Sequence, residues 1–344
     1  MPEKVTKSAI LEQIIQLYGQ KNQDFSLPEL NALLQEANIN IAERTLRRWL
    51  ALWVGQEVLS KSGQKRGTRY QLLKTNSPIN ETQIGFLKQV EPAKRQAISA
   101  QLRDLWTHGS TALEGNTLSL GDTHSILELG LTISGKPLHE HQQVVGHAKA
   151  IDLLYQLCAK PSSPLNKEAL FDLQKAVQLE VVMDIYQPVG KWKVENNYAN
   201  SITSNGQSVI IEYSASHEID ALMDQFIQSL NNINSESVTL KNAHVIFAKL
   251  HLAFVHIHPF ADGNGRLARL IANLPLLKAG LPPLLIDKNK RREYITLLAD
   301  YQTRLNPPTV DSVKKRGFWP DEKLVQPFAD FCEDCYRSTQ EIFD

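Results

Sequence analysis

Hydrophobic positions recur with helical spacing over most of the chain. The strongest pattern is the apolar run from about Ala243 to Val255, which predicts a buried helix that ends before Pro259. Another helical pattern begins beyond Pro92. Shorter ones cover residues 4–19, 27–34, 41–53, 124–131, 142–157, 167–179, 217–231, 290–301 and 328–343. The chain is therefore predicted to be mainly α-helical.

Two stretches instead show the pattern of β-hairpins. Residues 58–61 and 68–73 flank a Gly-containing turn, and residues 207–213 return from an Asn205-Gly206 turn. Three N-terminal helices followed by a hairpin are typical of a winged helix-turn-helix. We therefore predict a small winged-helix-like domain over 1–74, a linker over 75–90, and a helical domain with a β-hairpin over 91–344.

The composition is that of an ordinary globular protein. The chain has 344 residues, is 42% hydrophobic and 22% charged, and carries 37 basic and 37 acidic residues. The N-terminus lacks the apolar core of a signal peptide, and no run approaches the roughly 18 apolar residues of a membrane span. We expect a cytoplasmic protein without a membrane partner.

The cysteines and a His-x-His pair offer little chemistry. Cys332 and Cys335 form a C-x-x-C in a helical pattern without a second pair, so buried free thiols are favoured over a zinc or redox site. His256 and His258 have no further ligands at matching spacing, which argues against a metal site built on them.

Local charge distinguishes the N-terminal domain. Residues 41–70 contain seven basic and two acidic residues, so the third helix and the wing are both basic. Binding of duplex DNA requires such a surface. Modules of this kind also dock proteins or form dimers, and both interpretations remain open.

A polar loop follows the long apolar run and contains most of the candidate chemistry. Gly263 and Gly265 are expected to adopt positive φ and to present backbone amides to an anion at the start of the next helix. Asp262 offers a hard oxygen ligand for Mg²⁺ shared with phosphate. Arg266 lies one turn before a second arginine, and His258 can take a proton from a hydroxyl. These parts indicate nucleotide-dependent group transfer at phosphorus.

The run from His258 to Arg269, His-Pro-Phe-Ala-Asp-Gly-Asn-Gly-Arg-Leu-Ala-Arg, resembles the signature of the Fic family, H-x-F-x-D/E-G-N-G-R-x-x-R, at every fixed position. The resemblance implies AMPylation, the transfer of AMP from ATP to a Ser, Thr or Tyr hydroxyl of a protein, with Mg²⁺ as cofactor. It assigns His258 as general base and Asp262 as the metal ligand. It assigns phosphate contacts, as anion hole and as β/γ-phosphate ligands, to Gly263, Asn264, Gly265, Arg266 and Arg269.

An earlier stretch is similar to the inhibitory motif of the same family, [S/T]-x-x-x-E-[G/N]. Ser110, Glu114 and Gly115 fill its fixed positions, within a predicted inhibitory helix over 93–116. The resemblance implies that Glu114 pairs with Arg269 and so withholds this arginine from ATP. It also suggests Glu114 as a second catalytic residue, one that orients water for removal of AMP.

The hairpin over 190–213 matches the position of the Fic flap, which implies that a target protein docks there by strand addition. By the same resemblance Asn197 and Tyr198 border the nucleotide. Tyr294 and Tyr301 correspond to an adenine pocket, although their helical spacing is equally typical of a core. Homodimers are common in the family.

Two other functions remain open at this stage. One is a DNA-binding regulator whose Fic domain only senses nucleotide. The other is a Fic transferase that uses a different nucleotide.

Overall fold

The computed structural model describes residues 10, 11, 14, 18, 24–37, 39–55, 58–72, 84–159, 164–179 and 186–343. Most of the helix predicted over 4–19 and the first nine residues of the predicted linker, 75–83, lie outside these residues. The chain divides into two compact units, one formed by residues 1–80 with 124–134 and the other by 81–123 with 135–344.

The first unit combines helices with a small antiparallel sheet in the order β1-β3-β2. Its described elements are β1 (Asp24–Phe25), α1 (Leu27–Glu36), α2 (Glu43–Gly55), β2 (Leu59–Ser62) and β3 (Arg69–Leu72). A capping box starts α1, because Ser26 Oγ accepts from the Glu29 amide and the Glu29 carboxylate accepts from the Ser26 amide. The winged-helix assignment stays a prediction.

The second unit is mainly helical, as predicted, and contains one two-stranded hairpin. Its described elements are α3 (Pro92–Leu113), α4 (Leu120–Leu129, which spans the division between the units), α5 (Leu138–Ala159), α6 (Lys167–Gln178), β4 (Tyr198–Ile202), β5 (Ser208–Glu212), α7 (Ile219–Asn231), α8 (Ala243–Ile257), α9 (Asn264–Ile271), α10 (Leu274–Lys278), α11 (Arg291–Gln302), α12 (Val310–Arg316) and α13 (Glu322–Gln340).

The helix α8 forms the centre of this unit. Its side chains are buried on nearly all faces, which explains why its sequence is apolar throughout rather than amphipathic. His251 of α8 stacks on Phe328 of α13 with ring centroids 5.0 Å apart, and Phe254 packs against Phe226 of α7 at 5.5 Å. The rigid packing of α8 fixes the position of the loop that follows it.

The hairpin forms where the Asn205-Gly206 turn signal predicts it. The strands β4 and β5 are antiparallel from Tyr198 opposite Glu212 to Ile202 opposite Ser208. Gly206 in the turn has a φ of 82°, a conformation that glycine adopts without strain. No helix in the described part of the chain is long and apolar enough to cross a membrane.

Candidate active site

The loop between α8 and α9 is closed at both ends by specific backbone geometry. Helix α8 ends at His258, which adopts the left-handed conformation with φ 55° and ψ 62°. A residue other than glycine in this region costs about 1–3 kcal/mol, and such residues cluster at functional sites. The Asn264 side chain braces the loop, because its Oδ1 accepts from the Phe260 amide at 2.9 Å and its Nδ2 donates to the Phe260 carbonyl at 2.8 Å. The side chain of Asn264 therefore shapes the loop.

His258 is held as a neutral base. Its half-buried ring stacks on Tyr213 with centroids 3.7 Å apart and planes 13° apart. Its Nδ1 lies 3.3 Å from the Val255 carbonyl, a partner that requires Nδ1–H as the donor and leaves Nε2 to accept a proton. Burial first and the Lys193 ammonium second lower the pKa of His258, the Val255 hydrogen bond and Asp262 act in the opposite direction, and the net pKa is about 3. The imidazole is therefore unprotonated at neutral pH.

The two glycines of the loop have different roles. Gly263 has the expected positive φ, 85°, and caps the N-terminus of α9. The expectation of positive φ was wrong for Gly265, which lies in the first turn of α9 with ordinary helical geometry. A Cβ at Gly265 would lie 2.4 Å from the Glu114 Oε1 atom and 3.2 Å from Arg269 Nη1. Gly265 is needed because two side chains approach its backbone.

The start of α9 offers backbone amides to an anion. Helix α9 begins at Asn264, three residues before its apolar pattern, and the Leu267 amide donates to the Gly263 carbonyl at 3.0 Å. The preceding amides of Gly265 and Arg266 have no hydrogen-bonding partner among the described residues. Free amides together with the helix dipole make this end a suitable site for a phosphate.

Asp262 and Arg266 are joined to the end of α6. Gln178 Nε2 donates to Asp262 Oδ2 at 2.8 Å, and Arg266 Nη2 lies 3.4 Å from the same oxygen. Partial desolvation by neighbouring groups would raise the pKa of Asp262, although its side chain reaches the surface, but Arg266, Gln178 and the Gly263 amide together hold it below its usual value. Arg266 also donates to the Val177 carbonyl at 3.1 Å. In this conformation Arg266 ties the loop to α6, and its contact with phosphate stays a prediction.

Asp262 fits the role of a metal ligand for a shared site. Its side chain is exposed at the loop surface, and its carboxylate is ionised at neutral pH because its pKa is lowered. No cluster of three or more His, Cys, Asp or Glu that could hold a metal occurs within the described residues. Mg²⁺ is commonly held by one or two carboxylates together with substrate phosphates, so a single carboxylate here is compatible with that arrangement.

Arg269 is the most completely bound side chain of the site. Its Nη2 donates to Glu114 Oε1 at 2.7 Å and to the Ser110 carbonyl at 2.8 Å. Its Nε donates to Ser110 Oγ at 3.0 Å, and its Nη1 donates to the Tyr294 hydroxyl at 2.9 Å. Exposure is 3% for the Arg269 side chain and 39% for that of Glu114. Two of the three motif residues at the end of α3 thus contact the second arginine of the loop.

The other expected nucleotide contacts lie in two different environments. Asn197 Nδ2 donates to the Phe260 carbonyl at 3.1 Å, which places this residue beside the loop, and Tyr198 is exposed at the start of β4. Tyr294 and Tyr301 are only 4% and 5% exposed. The Tyr294 hydroxyl bridges Arg269 and His251 Nε2, 3.0 Å away, so Tyr294 supports the arginine. An adenine contact for either tyrosine stays a prediction.

Three further residues contact the site and were not predicted from the sequence: Tyr213, Lys193 and Gln178. Tyr213 stacks on His258, the Lys193 amide donates to the Pro259 carbonyl at 2.9 Å, and Gln178 holds Asp262. Lys193 belongs to the Gly-Lys-Trp-Lys run of the hairpin region, which was a usable signal. Gln178 is the last residue of α6 and Tyr213 directly follows β5, and neither stands in a distinguishing sequence pattern.

A neutral histidine beside a helix start with open backbone amides, within a mainly helical unit, is an arrangement suited to chemistry on a phosphorylated ligand. The sequence model of the Fic/DOC family matches residues 164–276 of this chain. The Protein adenylyltransferase fic-1 of Caenorhabditis briggsae is 31% identical over 197 residues, 56% of this chain and 36% of that protein. The Protein adenylyltransferase Fic of Aedes aegypti is 28% identical over 236 residues, 68% of this chain and 40% of that protein.

Solved structures show the same fold. A Fic domain-containing signaling protein from Bacteroides thetaiotaomicron superimposes with a TM-score of 0.63 at 24% identity, covering 75% of this chain and 91% of that chain. Fic-1 residues 134–508 from Caenorhabditis elegans give a TM-score of 0.51 at 25% identity, over 74% of this chain and 66% of that one. The matched part of this chain spans about two fifths of the length of the two curated relatives.

Proposed function

We propose that the Fic domain transfers AMP from ATP to a Ser, Thr or Tyr hydroxyl of a target protein. The observation that carries the proposal is His258, whose Nδ1–H is bound to the Val255 carbonyl, so that its Nε2 is free to accept a proton beside the open amides of α9. Relatives named as protein adenylyltransferases support the reaction class.

In this mechanism His258 Nε2 removes the proton of the target hydroxyl as its oxygen attacks the α-phosphorus of ATP. A bond forms between that oxygen and phosphorus, the bond to the bridging oxygen of pyrophosphate breaks, and pyrophosphate leaves. The amides at the start of α9 bind the negative charge of the triphosphate. Mg²⁺, held by Asp262, would neutralise phosphate charge.

The ion pair between Glu114 and Arg269 is proposed to restrain this activity. Four of the five N–H groups of Arg269 are bound to protein, including the one at 2.7 Å to Glu114, so a phosphate that takes two of them must displace a partner. Glu114 is the partner most easily lost, because it is the exposed member of the pair. Removal of AMP by water oriented on Glu114 remains part of the proposal, as does docking of the target on the flap, residues 190–213.

Label transfer from ATP tests the proposed function. The purified chain and its Glu114→Gly variant are incubated with α-³²P-ATP and Mg²⁺, alone and with a cell lysate. Protein labelling that depends on His258 is expected, and it should be absent with γ-³²P-ATP because pyrophosphate leaves. No labelling by either protein would refute AMP transfer, and labelling with γ-³²P-ATP would indicate a kinase.

DNA binding by the first unit stays a second proposal. Arg47 pairs with Glu43 at 2.6 Å, and Arg69 pairs with Asp24 at 2.9 Å, so part of the basic charge over 41–70 is neutralised within the unit. Arg44 and Lys61 remain exposed. A gel-shift titration with duplex DNA at two salt concentrations tests the proposal, and binding that does not weaken with salt would contradict a phosphate-driven contact.

A further inference from the structure

A buried lysine lies beside the catalytic loop and has no carboxylate partner among the described residues. Lys193 is 3% exposed, and its Nζ donates to Asn197 Oδ1 at 2.5 Å. The ammonium also lies 5.9 Å from the centroid of the Tyr213 ring. Lysine is almost never fully buried unless it is paired, because desolvation of the charge is costly. A cation kept in such a place suggests a function that offsets its cost.

Lys193 and Asn197 together fix two successive carbonyls of the loop. The Lys193 amide donates to the Pro259 carbonyl at 2.9 Å, and Asn197 Nδ2 donates to the Phe260 carbonyl at 3.1 Å. The Lys193 ammonium in turn orients the Asn197 amide group, because it binds the Oδ1 atom and leaves Nδ2 directed at the loop. The segment before β4 is therefore bonded to the two residues that follow His258.

The same lysine acts on His258 through its charge. Tyr213 contacts both, with its ring stacked on the imidazole at 3.7 Å and below the ammonium. The charged groups that act on His258 are Lys193, which lowers its pKa, and Asp262, which raises it. The phenol of Tyr213 is uncharged, since burial raises its pKa to about 12. Loss of the Lys193 charge would thus favour protonation of His258.

We infer that Lys193 is a positioning residue for His258, and that Lys193 and Asn197 form a bridge that holds the catalytic loop against the hairpin. In this bridge Asn197 has a structural role, in addition to any contact with a nucleotide. The catalytic consequence rests on the proposed function, whereas the bridge and its effect on the protonation of His258 do not.

The test compares Lys193→Met, which removes the charge at similar length, with Lys193→Arg, which retains it. Lys191→Met is the matched control, because Lys191 is exposed two residues away. The first readout is the pH titration of His258, followed by NMR in histidine-labelled protein and assigned with His258→Gln. The second is the rate of label transfer from α-³²P-ATP against pH, in the Glu114→Gly background. Thermal unfolding confirms that each variant is folded.

Lys193→Met is expected to move the His258 titration to higher pH and to lower the transfer rate by at least about tenfold, as misplacement of a catalytic group does. Lys193→Arg should retain the low titration and recover part of the rate, and Lys191→Met should match the parent in both. An unchanged titration and rate in Lys193→Met would overturn the inference. A shifted titration in proteins that transfer no label would sustain the inference and refute the proposed function.

If Lys193→Met does not fold, a second variant tests the same bridge. Asn197→Ala retains the charge but removes the donor to the Phe260 carbonyl. It should lower the transfer rate by about tenfold, because the loop loses one of the bonds that place His258. An unchanged rate in Asn197→Ala would overturn the bridge.

Discussion

The ion pair between Glu114 and Arg269 gives the most direct prediction about regulation. Glu114→Gln keeps the size of the side chain and removes its charge, while Arg269 keeps Ser110 and Tyr294 as partners. A hydrogen bond to a charged group contributes about 1.5–3 kcal/mol, and Glu114 is partly exposed, so the lower part of this range is expected. ATP that takes the place of Glu114 on Arg269 must replace this bond.

The same free energy sets the expected change in rate. Since about 1.4 kcal/mol corresponds to a tenfold change in an equilibrium constant, the lower part of the range, about 1.5–2 kcal/mol, predicts an increase of roughly 10- to 30-fold in productive ATP binding. The assay is the initial rate of label transfer from α-³²P-ATP below saturation. Glu322→Gln is the control, because this exposed residue also pairs with a cation, Lys249, at 2.8 Å.

A specific result would refute this reasoning. If Glu114→Gln transferred label at the rate of the parent, the pair would not restrain the enzyme, whatever its effect on stability. An increase of equal size in Glu322→Gln would show that loss of any acidic surface charge, rather than release of Arg269, causes the effect.

Three other predictions concern the base, the loop glycine and the buried histidines. His258→Ala should abolish label transfer in the Glu114→Gly background with the fold retained by thermal unfolding, and retained transfer would mean that another group is the base. Gly265→Ala should displace the Glu114 carboxylate and lower the free energy of unfolding by at most about 1.5–2 kcal/mol, a cost that should be largely absent in the Glu114→Gly background, as a double-mutant cycle measures. His147 and His251 are fully buried, and burial holds the pKa of each well below 6.5. The unfolded chain therefore binds more protons than the folded one below about pH 6.5. The contribution of the neutral imidazoles to the free energy of unfolding is fully present above that pH. It should fall by up to about 1.4 kcal/mol per pH unit per imidazole as the pH decreases towards 5. Urea unfolding that is independent of pH over this window would contradict the prediction.

The order of the elements and the position of the loop follow from local patterns in the sequence. The all-round apolar run of α8 required burial on every face, and Pro259 with Gly263 required the helix to end where it does. The Asn205-Gly206 pair marked the position of the hairpin turn. These features depend on residues within a few positions of one another, so the sequence alone is sufficient to predict them.

Contacts between distant segments explain what local patterns missed. Gly265 was expected to provide a positive φ. Instead, the absence of a side chain there leaves space for the Glu114 carboxylate, which lies against it. Tyr213 stacks on His258 only because β5 ends beside the loop. Arg266 was expected to face a ligand, whereas the end of α6 accepts its hydrogen bonds through Val177. Each case depends on which helices and strands pack beside the loop.

The sequence by itself determined the helical architecture and the residue types of the catalytic loop, because periodicity and short-range turns encode both. The tertiary structure decided which side chains contact one another. It brought Ser110 and Glu114 to Arg269 across more than 150 residues, and it placed the Lys193 ammonium beside His258. Those contacts set charge, burial and protonation, which are properties of the packed environment and are absent from any single segment of the chain.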